Sequence, residues 1–331
     1  YYMNNLCKIS ENFNICENIP LAEKTTFKVG GNARFYACPK NTEELCELFK
    51  ICKENDFPFF VLGGGSNLVI NDNGLEKLVI STEKLDKIEL LSSGSREDCL
   101  DVDGLGGDSS RDDSSKADSV FVSCQAGCTM ENFVNFCVEN SFSGAEFFAG
   151  LPGTCGGACY MNARCYGVSV SEILSRVFYI GSDFLEHEYI FDEKDWDYKK
   201  SPFQSMIKDE KCLVIEKVVF ELKKGEKDKI KKGAESYIAD RTEKGHFKFP
   251  SAGSVFKNNH DFGKPSGKII DEVGLRELKV GGAQVAPWHG NFIINTGNAS
   301  AKDIRTLVEK IKKEVLEKTG FSLECEILFI D

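Results

Sequence analysis

The chain has 331 residues, which is more than one hydrophobic core usually organises, so we expect two or three lobes and exclude a small binding module. Its 52 acidic residues outnumber 41 Lys and Arg, and the formal charge of -11 is the wrong sign for a protein whose main partner is nucleic acid. The sequence contains no apolar run near the roughly 20 residues of a membrane span and no signal-peptide pattern, so we expect a cytoplasmic protein without membrane attachment.

The first third of the chain predicts a helix, a strand and a glycine-rich loop. Apolar residues at helical spacing cover 45–57, a buried strand covers 58–63, and the strand ends in Gly63-Gly64-Gly65-Ser66-Asn67. Further strands are predicted between 68 and 91. Residues 92–118 then carry seven Ser, four Gly and eight acidic residues. This composition predicts a disordered insertion, with an acidic partner-binding arm as the alternative.

The remainder of the chain mixes strands and helices. The predicted elements are, in order, a strand at 119–127, a helix at 129–140, a glycine-rich stretch at 149–166, strands near 171–190 and 212–222, a basic helix at 223–245, a helix at 269–275, a strand at 291–297, a helix at 301–318 and a final strand at 323–330. Because strands and helices do not alternate regularly, the pattern favours an α+β fold over a doubly wound parallel sheet.

Fourteen cysteines are scattered through apolar segments, and no two are spaced C-x-x-C. The closest pairs are Cys124 with Cys128 and Cys155 with Cys159, and both lack the companion His or Cys pairs of a zinc or iron–sulfur site. The pattern therefore favours buried, reduced thiols over metal ligands, and no metal site is predicted.

Two glycine-rich stretches are candidate phosphate-binding loops. Glycines after the strand at 58–63 let backbone N–H groups approach a phosphate oxygen without net positive charge, and an ordinary tight turn is the alternative. The loop is neither G-x-G-x-x-G nor a Walker loop. The stretch from Ala149 to Ala163 repeats Pro-Gly and Gly-Gly. Together the two stretches favour a cofactor that carries a pyrophosphate.

Two other segments carry candidate proton-transfer groups. Ser254 in PSAGSVFKN is either a proton donor toward a strongly basic carbanion or a capping serine at a bend. Glu324 and Glu326 lie two apart on the predicted final strand, so they are expected to face the same side, toward a cleft or toward water. The four histidines are interpreted as structural residues.

Several motifs together resemble the UDP-N-acetylenolpyruvoylglucosamine reductase family of bacterial peptidoglycan synthesis. They occur in family order over nearly the whole chain: TTFKVGG (25–31), VLGGGSN (61–67), GAEFFAGLPGTCGGACYMNARCYG (144–167), YKKSPF (198–203), PSAGSVFKN (250–258), GKIIDEVGL (267–275), GGAQVAPWHGNFIINTGNAS (281–300) and LECE (323–326). The resemblance implies an α+β fold, with a two-lobed FAD-binding part of the vanillyl-alcohol-oxidase-like type and a C-terminal substrate-binding domain. The implied limits are 1–82 for the first lobe, with 326–331 returning near it, 83–222 for the second lobe and 223–325 for the substrate-binding domain.

The resemblance also implies a reaction. NADPH reduces FAD, and the reduced flavin delivers hydride to carbon 3 of UDP-N-acetylglucosamine enolpyruvate, with protonation at carbon 2. Ser254 matches the family's proton donor, and Glu326 matches the carboxylate near the reacting carbon, with Glu324 as the second choice. Lys199 stands where the family has arginine. It keeps the positive charge but cannot form the two parallel hydrogen bonds of a guanidinium to a carboxylate, so we expect it to stabilise the enolate as a point charge.

Binding residues follow from the same resemblance. The implied FAD residues are Leu62, Gly63, Gly64, Gly65, Ser66, Asn67, Leu68, Gly150, Pro152, Gly153, Thr154, Gly156, Gly157, Asn162 and Ala163. The implied substrate residues are Tyr198, Arg241, Asn258, Lys268 and Gln284. Arg164 stands where the family usually has glycine, and it either supports the enolate, contacts a phosphate or lies on the surface. The expected partners are the UDP-sugar and NADPH, and we expect a monomer.

Two alternatives differ from this reductase. One is another FAD-dependent oxidase or dehydrogenase with the same cofactor-binding fold, which the Ser254 and Glu326 segments disfavour. The other is a flavin-binding or UDP-sugar-binding protein that has lost its chemistry, which the lysine at position 199 suggests.

Overall fold

The structure is a computed structural model that describes residues 13–91 and 119–331. The insertion predicted at 92–118 lies outside the described residues. The strands are β1 (Cys16–Pro20), β2 (Asn32–Ala37), β3 (Phe59–Leu62), β4 (Leu68–Ile70), β5 (Leu75–Ser81), β6 (Ile88–Leu91), β7 (Ser119–Gln125), β8 (Phe142–Ser143), β9 (Arg164–Cys165), β10 (Val168–Ser169), β11 (Leu174–Gly181), β12 (Glu186–Ile190), β13 (Cys212–Lys224), β14 (Lys279–Val280), β15 (Ala283–Val285), β16 (Ile293–Asn295) and β17 (Leu328–Ile330). The helices are α1 (Thr42–Glu54), α2 (Met130–Glu139), α3 (Cys155–Tyr160), α4 (Pro202–Lys208), α5 (Lys227–Glu243), α6 (Ser266–Glu272) and α7 (Ala301–Thr319). This mixture confirms the α+β class.

The first sheet has the strand order β1-β2-β5-β3. Strands β2, β5 and β3 run parallel, and β1 pairs antiparallel with β2. Helix α1 begins where the Asn41 side chain accepts from the Glu44 N–H, and it buries Leu45, Leu48 and Phe49 because its apolar residues recur every three or four positions. Since β3 and β5 are parallel neighbours, their carboxyl ends lie at the same edge of the sheet.

The second sheet is antiparallel, with the order β12-β11-β13-β7-β6, and β8 also pairs with β13. Its core includes Phe133 of α2, which stacks on Phe220 of β13 with ring centroids 4.3 Å apart. Helix α5 packs on this core through Ala234, although it follows the boundary expected at 222. The boundary at 222 between the second lobe and the substrate-binding domain therefore stays a proposal, since the packing of one helix does not by itself define a domain limit.

The C-terminal region combines the small antiparallel sheet β14-β15-β16 with α6 and α7. Helix α7 starts at a capping box formed by Ser300 and Asp303, and it buries Ile304, Leu307 and Ile311. The chain end then returns to the N-terminal region, because β17 pairs in parallel with β4. Throughout the described residues, no helix is long and apolar enough to cross a membrane.

Two local predictions were wrong. The glycine-rich stretch contains helix α3, which the sequence reasoning missed because glycine disfavours helix; the Thr154 hydroxyl caps it by accepting from the Gly157 N–H at 3.3 Å. The final strand is also shorter than predicted. Only Leu328–Ile330 is a strand, Cys325 forms an isolated bridge with Phe256, and the chain bends at Glu326 and Ile327. That bend breaks the expected alternation of side chains.

Candidate active site

Residues from all three regions of the fold line one cleft of about 1870 Å³. A site for one drug-sized ligand usually encloses about 300 to 1,000 Å³. The cleft therefore has room for a dinucleotide cofactor together with a second ligand.

The two glycine loops touch each other along one wall of this cleft. A Cβ on Gly64 would lie 2.6 Å from the Gly153 Cα, and a Cβ on Gly153 would lie 2.6 Å from the Ser66 Oγ. Gly153 also has a φ of +109°, a conformation that other residues rarely adopt. Glycine is therefore required at both positions for the loops to approach this closely.

Backbone hydrogen bonds hold both loops in place. The Thr82 N–H donates to the Leu62 carbonyl at 3.0 Å, which fixes the first loop at the shared edge of β3 and β5. On the second loop, the Met130 N–H donates to the Gly153 carbonyl at 3.1 Å. Since these contacts are between backbone atoms, the shape of the wall depends little on side chains.

The wall fits a dinucleotide such as FAD. Thr26 and Thr82 line the cleft, and their buried Oγ1 atoms have no hydrogen-bond partner among the described residues. Unpaired buried hydroxyls are costly, so they favour a polar ligand. Neutral donors beside close glycine backbone match the binding of phosphate oxygens.

Nearly all the residues expected to bind the cofactor line the cleft. They are Leu62, Gly63, Gly64, Gly65, Ser66, Asn67, Leu68, Gly150, Pro152, Gly153, Thr154, Gly156, Gly157 and Ala163. Asn162 is buried and does not line it. Its side-chain amide donates to the Asp197 carbonyl at 2.9 Å and its oxygen accepts from the Ser171 N–H at 3.1 Å. Asn162 therefore supports the turn that carries Lys199.

Lys199 and Glu326 form an ion pair in the cleft. The Lys199 Nζ lies 2.6 Å from the Glu326 Oε1, and the two side chains are only 12% and 13% exposed. Solvent screens such a pair less than a surface pair. An ammonium and a carboxylate are therefore held together in the cleft, where a ligand can compete for either charge.

A tight turn aims Lys199 into the cleft. Asp197 and Lys200 exchange backbone hydrogen bonds at 3.0 and 3.3 Å, and Lys199 adopts a left-handed φ of 57°. This conformation is uncommon for lysine and costs on the order of 1–3 kcal/mol. Gln204 secures the turn by donating to the Lys199 carbonyl at 3.1 Å.

Backbone contacts to two distant segments position Glu326. Its N–H donates to the Val255 carbonyl at 2.8 Å, and its carbonyl accepts from the Asn67 side chain at 2.9 Å. Glu324 lies elsewhere: it is 72% exposed and its carboxylate is 2.5 Å from the Lys257 Nζ. The expectation that both carboxylates share one face was therefore wrong, because the chain bends at Glu326.

Ser254 lines the same cleft. It is half-buried, and an isolated bridge to Phe292 holds its backbone. The next residue, Val255, accepts the Glu326 N–H, so the serine and the carboxylate are joined through one short backbone contact. Ser254, Lys199 and Glu326 thus come together from three distant parts of the sequence.

Two arginines also line the cleft. Arg241 is buried, its Nη2 lies 3.1 Å from the Cys165 sulfur, and its Nε has no partner among the described residues. Arg164 is 42% exposed, donates to the Ser169 hydroxyl at 2.9 Å and lies 3.6 Å from the Glu172 carboxylate. Arg241 therefore has unused hydrogen-bonding capacity for a ligand, whereas Arg164 already has protein partners.

The other expected substrate residues do not line the cleft. The Tyr198 hydroxyl accepts from the Asn258 N–H at 3.5 Å, while the Asn258 side chain accepts from the Ser266 N–H. Lys268 is exposed on α6, and the Gln284 amide donates to the Glu277 carbonyl. Their roles in substrate binding stay predictions, and in the structure Tyr198, Asn258 and Gln284 hydrogen-bond to neighbouring backbone.

Sequence reasoning missed an aromatic and histidine wall formed by His246, Trp288, His289 and Phe292, all of which line the cleft. Burial, with Arg241 and His289 nearby, lowers the pKa of His246 to about 4, and burial also lowers the pKa of His289. Both imidazoles are therefore neutral near pH 7. The PWHGNF motif (287–292) could have indicated part of this wall. Nothing in the sequence indicated that His246 and His289 would line the same cleft.

Comparisons with known proteins agree with this geometry. An FAD binding domain model matches residues 33–178, and the model of the UDP-N-acetylenolpyruvoylglucosamine reductase C-terminal domain matches residues 245–330. The chain is 43% identical to the UDP-N-acetylenolpyruvoylglucosamine reductase of Treponema denticola, over 99% of this chain and 98% of the relative, and 40% identical to that of Borreliella burgdorferi, over 94% and 92%.

A solved structure supports the same assignment. The crystal structure of UDP-N-acetylenolpyruvylglucosamine reductase from Thermus caldophilus is 29% identical, with a TM-score of 0.71, and the match covers 95% of this chain and 98% of that chain. Similarity over nearly the full length of both proteins includes the cofactor wall and the C-terminal region together. The chain therefore belongs to the UDP-N-acetylenolpyruvoylglucosamine reductase family and is an FAD-dependent oxidoreductase.

Proposed function

We propose that this protein reduces UDP-N-acetylglucosamine enolpyruvate to UDP-N-acetylmuramate, with NADPH as the source of electrons. The observation that carries the proposal is the meeting of Ser254, Lys199 and Glu326 in the cleft formed by the glycine loops. A flavin-binding protein without this chemistry has no need for a half-buried serine and a largely shielded ion pair beside its cofactor wall.

Bound FAD, once reduced by NADPH, supplies a hydride to carbon 3 of the enolpyruvyl group. Negative charge then develops at carbon 2 and spreads onto the adjacent carboxylate. The Lys199 ammonium is the cation placed to stabilise this charge, and its low exposure of 12% strengthens that interaction. Lysine suffices as a point charge because the turn and Glu326 already fix its direction.

Ser254 is the proposed proton donor to carbon 2. A serine hydroxyl is a weak acid, so it donates only to a strongly basic carbon such as this enolate. Its place in the same cleft as Lys199 suits this role, since a substrate whose carboxylate binds the cation would lie within the cleft that Ser254 lines. The serine regains its proton from solvent through the open cleft.

Glu326 is proposed to position Lys199 before the substrate binds. Their 2.6 Å contact keeps the ammonium in the cleft instead of in solvent. A substrate carboxylate then competes with Glu326 for the same cation. Arg241, with its unpaired buried Nε, is the proposed contact for a polar group of the UDP-sugar.

An anaerobic stopped-flow experiment at the flavin absorbance band tests the proposal. NADPH should bleach the flavin, and the enolpyruvyl UDP-sugar should restore the colour. Ser254→Ala should leave bleaching unchanged and slow the return of colour by about 10²–10⁴-fold, the usual contribution of a proton donor.

Ser251→Ala is the matched control, because this serine lies in the same loop and lines the same cleft, and its hydroxyl accepts from the Gly253 N–H at 3.4 Å. It should change neither phase by more than a small factor. Equal slowing of both phases in Ser254→Ala would show that the serine is not the proton donor. A wild-type flavin that bleaches and never regains its colour would overturn the reductase function itself.

A further inference from the structure

Three buried cysteines meet behind the cofactor wall. Cys124, Cys128 and Cys155 are each fully buried, and their Sγ atoms all lie within 4.8 Å of one another. The three sulfurs therefore converge on one point, although Cys155 is distant in sequence from the other two.

The three cysteines lie behind the glycine loops of the cofactor wall and do not line the cleft. Cys124 lies at the end of β7, Cys128 follows that strand, and Cys155 is the first residue of α3. The Cys155 N–H donates to the Cys128 carbonyl at 2.8 Å, which joins the two segments. The flanking residues Thr129 and Thr154 line the cleft, whereas the three cysteines lie in the apolar core.

The donor set selects a class of ion. Three sulfur donors are soft, and within the described residues no His, Asp or Glu completes the group. Mg²⁺, Ca²⁺ and Mn²⁺ require oxygen donors, structural zinc almost always takes four ligands, and iron–sulfur clusters are held by four cysteines. Cu(I) favours thiolates and is stable with only two or three of them.

We propose that Cys124, Cys128 and Cys155 bind one soft thiophilic cation, Cu(I), as a three-sulfur site behind the cofactor wall. This differs from the expectation of buried thiols without a metal. The bound ion ties β7 to the first turn of α3, the turn that Thr154 caps beside Gly153. Metal binding therefore stabilises the loop that shapes the cleft, and it takes no part in the reduction.

Titration of the reduced, FAD-loaded protein with Cu(I) under anaerobic conditions, against a competing chelator, tests the site. The wild type should bind one ion per chain, with a sulfur-to-copper charge-transfer band and three sulfur neighbours by X-ray absorption. The thermal unfolding midpoint should rise on binding, since the assembled three-sulfur site exists only in the folded chain and should bind the ion more tightly than separate cysteines of the unfolded chain do. Cys155→Ala should lose the band and the rise in midpoint.

Cys159→Ala is the matched control. Cys159 lies one turn further along α3 and is also fully buried, but it is outside the cluster. It should retain the full copper response. Equal copper binding by wild type and Cys155→Ala would overturn the proposal, as would a count of fewer than three sulfurs in the wild type.

Intact mass after the titration separates metal binding from oxidation. A wild-type protein that loses two hydrogens and binds no ion would have formed a disulfide, and this result would overturn the metal site. Should Cys155→Ala fail to fold, Cys124→Ala and the sulfur count of the wild type decide the question. A folded Cys124→Ala that binds copper as tightly as the wild type would refute the site.

Discussion

The cofactor wall and the proposed catalytic group occupy one cleft but are built in different ways. The wall is made of two continuous glycine-rich stretches whose shape rests on backbone contacts, such as the approach of Gly64 to Gly153. The proposed catalytic group consists of single side chains, Lys199, Ser254 and Glu326, which line the cleft from three distant segments. A continuous motif carries its own geometry, whereas a group of isolated side chains depends on the packing of the whole chain.

This difference separates two kinds of failure. Damage to the wall should remove the cofactor, while damage to the catalytic group should leave the cofactor bound and slow the chemistry. Flavin content and the two half-reactions measure these effects independently. Three substitutions test the contrast, from the largest expected effect to the smallest, and a fourth with a smaller expected effect tests the pH dependence of stability.

Gly64→Ala should abolish flavin binding. The new Cβ would lie 2.6 Å from the Gly153 Cα, and backbone at that distance has to move. The measurement is the flavin absorbance per chain after purification. Gly233→Ala on α5 is the control, because its Cβ would meet only the Glu146 side chain at 3.6 Å. It should retain full flavin and gain about 0.5–1 kcal/mol of stability. Full flavin content in Gly64→Ala would refute the assigned geometry of the wall.

Lys199→Met should leave flavin content and reduction by NADPH unchanged and slow reoxidation by substrate. Loss of one preorganised charge-stabilising group typically costs about 10²–10³ in rate. Lys199→Arg should recover most of this rate, because it restores the charge. A loss of flavin in Lys199→Met would show that the lysine supports the wall instead of the chemistry.

Glu326→Gln should slow the same phase by up to about 10²-fold, the cost of a misplaced reacting group. The amide keeps the shape but no longer attracts the Lys199 ammonium as a full charge. Glu324→Gln is the matched control, since Glu324 is 72% exposed and pairs outside the cleft. A larger effect from Glu324→Gln would reverse the assignment of the two carboxylates.

Burial of His246 in the cleft should make the stability of the folded protein fall at acidic pH. The pKa of His246 is about 4 in the folded chain, below its ordinary value of 6.5. The unfolded chain therefore takes up a proton as the pH falls below 6.5 and the folded chain does not, so stability decreases toward pH 4. Because the ring is only partly buried, we expect the effect between pH 7 and pH 5 to be on the order of 1 kcal/mol.

Denaturant unfolding of His246→Gln at pH 7 and pH 5 measures this contribution. The variant should lose less stability over that interval than the wild type. His260→Gln, which changes an exposed histidine, should behave like the wild type. An unchanged pH dependence in His246→Gln would show that His246 is not the source.

Much of the fold was predictable because its signals are local. Apolar periodicity predicted α1, α2 and α7 within a few residues, and the two glycine stretches that were considered together lie in contact. Helix α3 was missed because its stability comes from the Thr154 cap and from packing, which outweigh the low helix propensity of its glycines. The final strand was predicted to be longer than β17 is, because the sequence pattern does not reveal the bend at Glu326 and Ile327.

The sequence by itself determined the α+β class, the family resemblance and the two loops that form the cofactor wall, since each depends on residues that are neighbours along the chain. Only the tertiary structure separated Glu326 from Glu324, turned Asn162 away from the cleft and brought two histidines and three cysteines into groups. Contacts of that kind join residues far apart in sequence. Their distances are set by how the three regions pack, which no local pattern records.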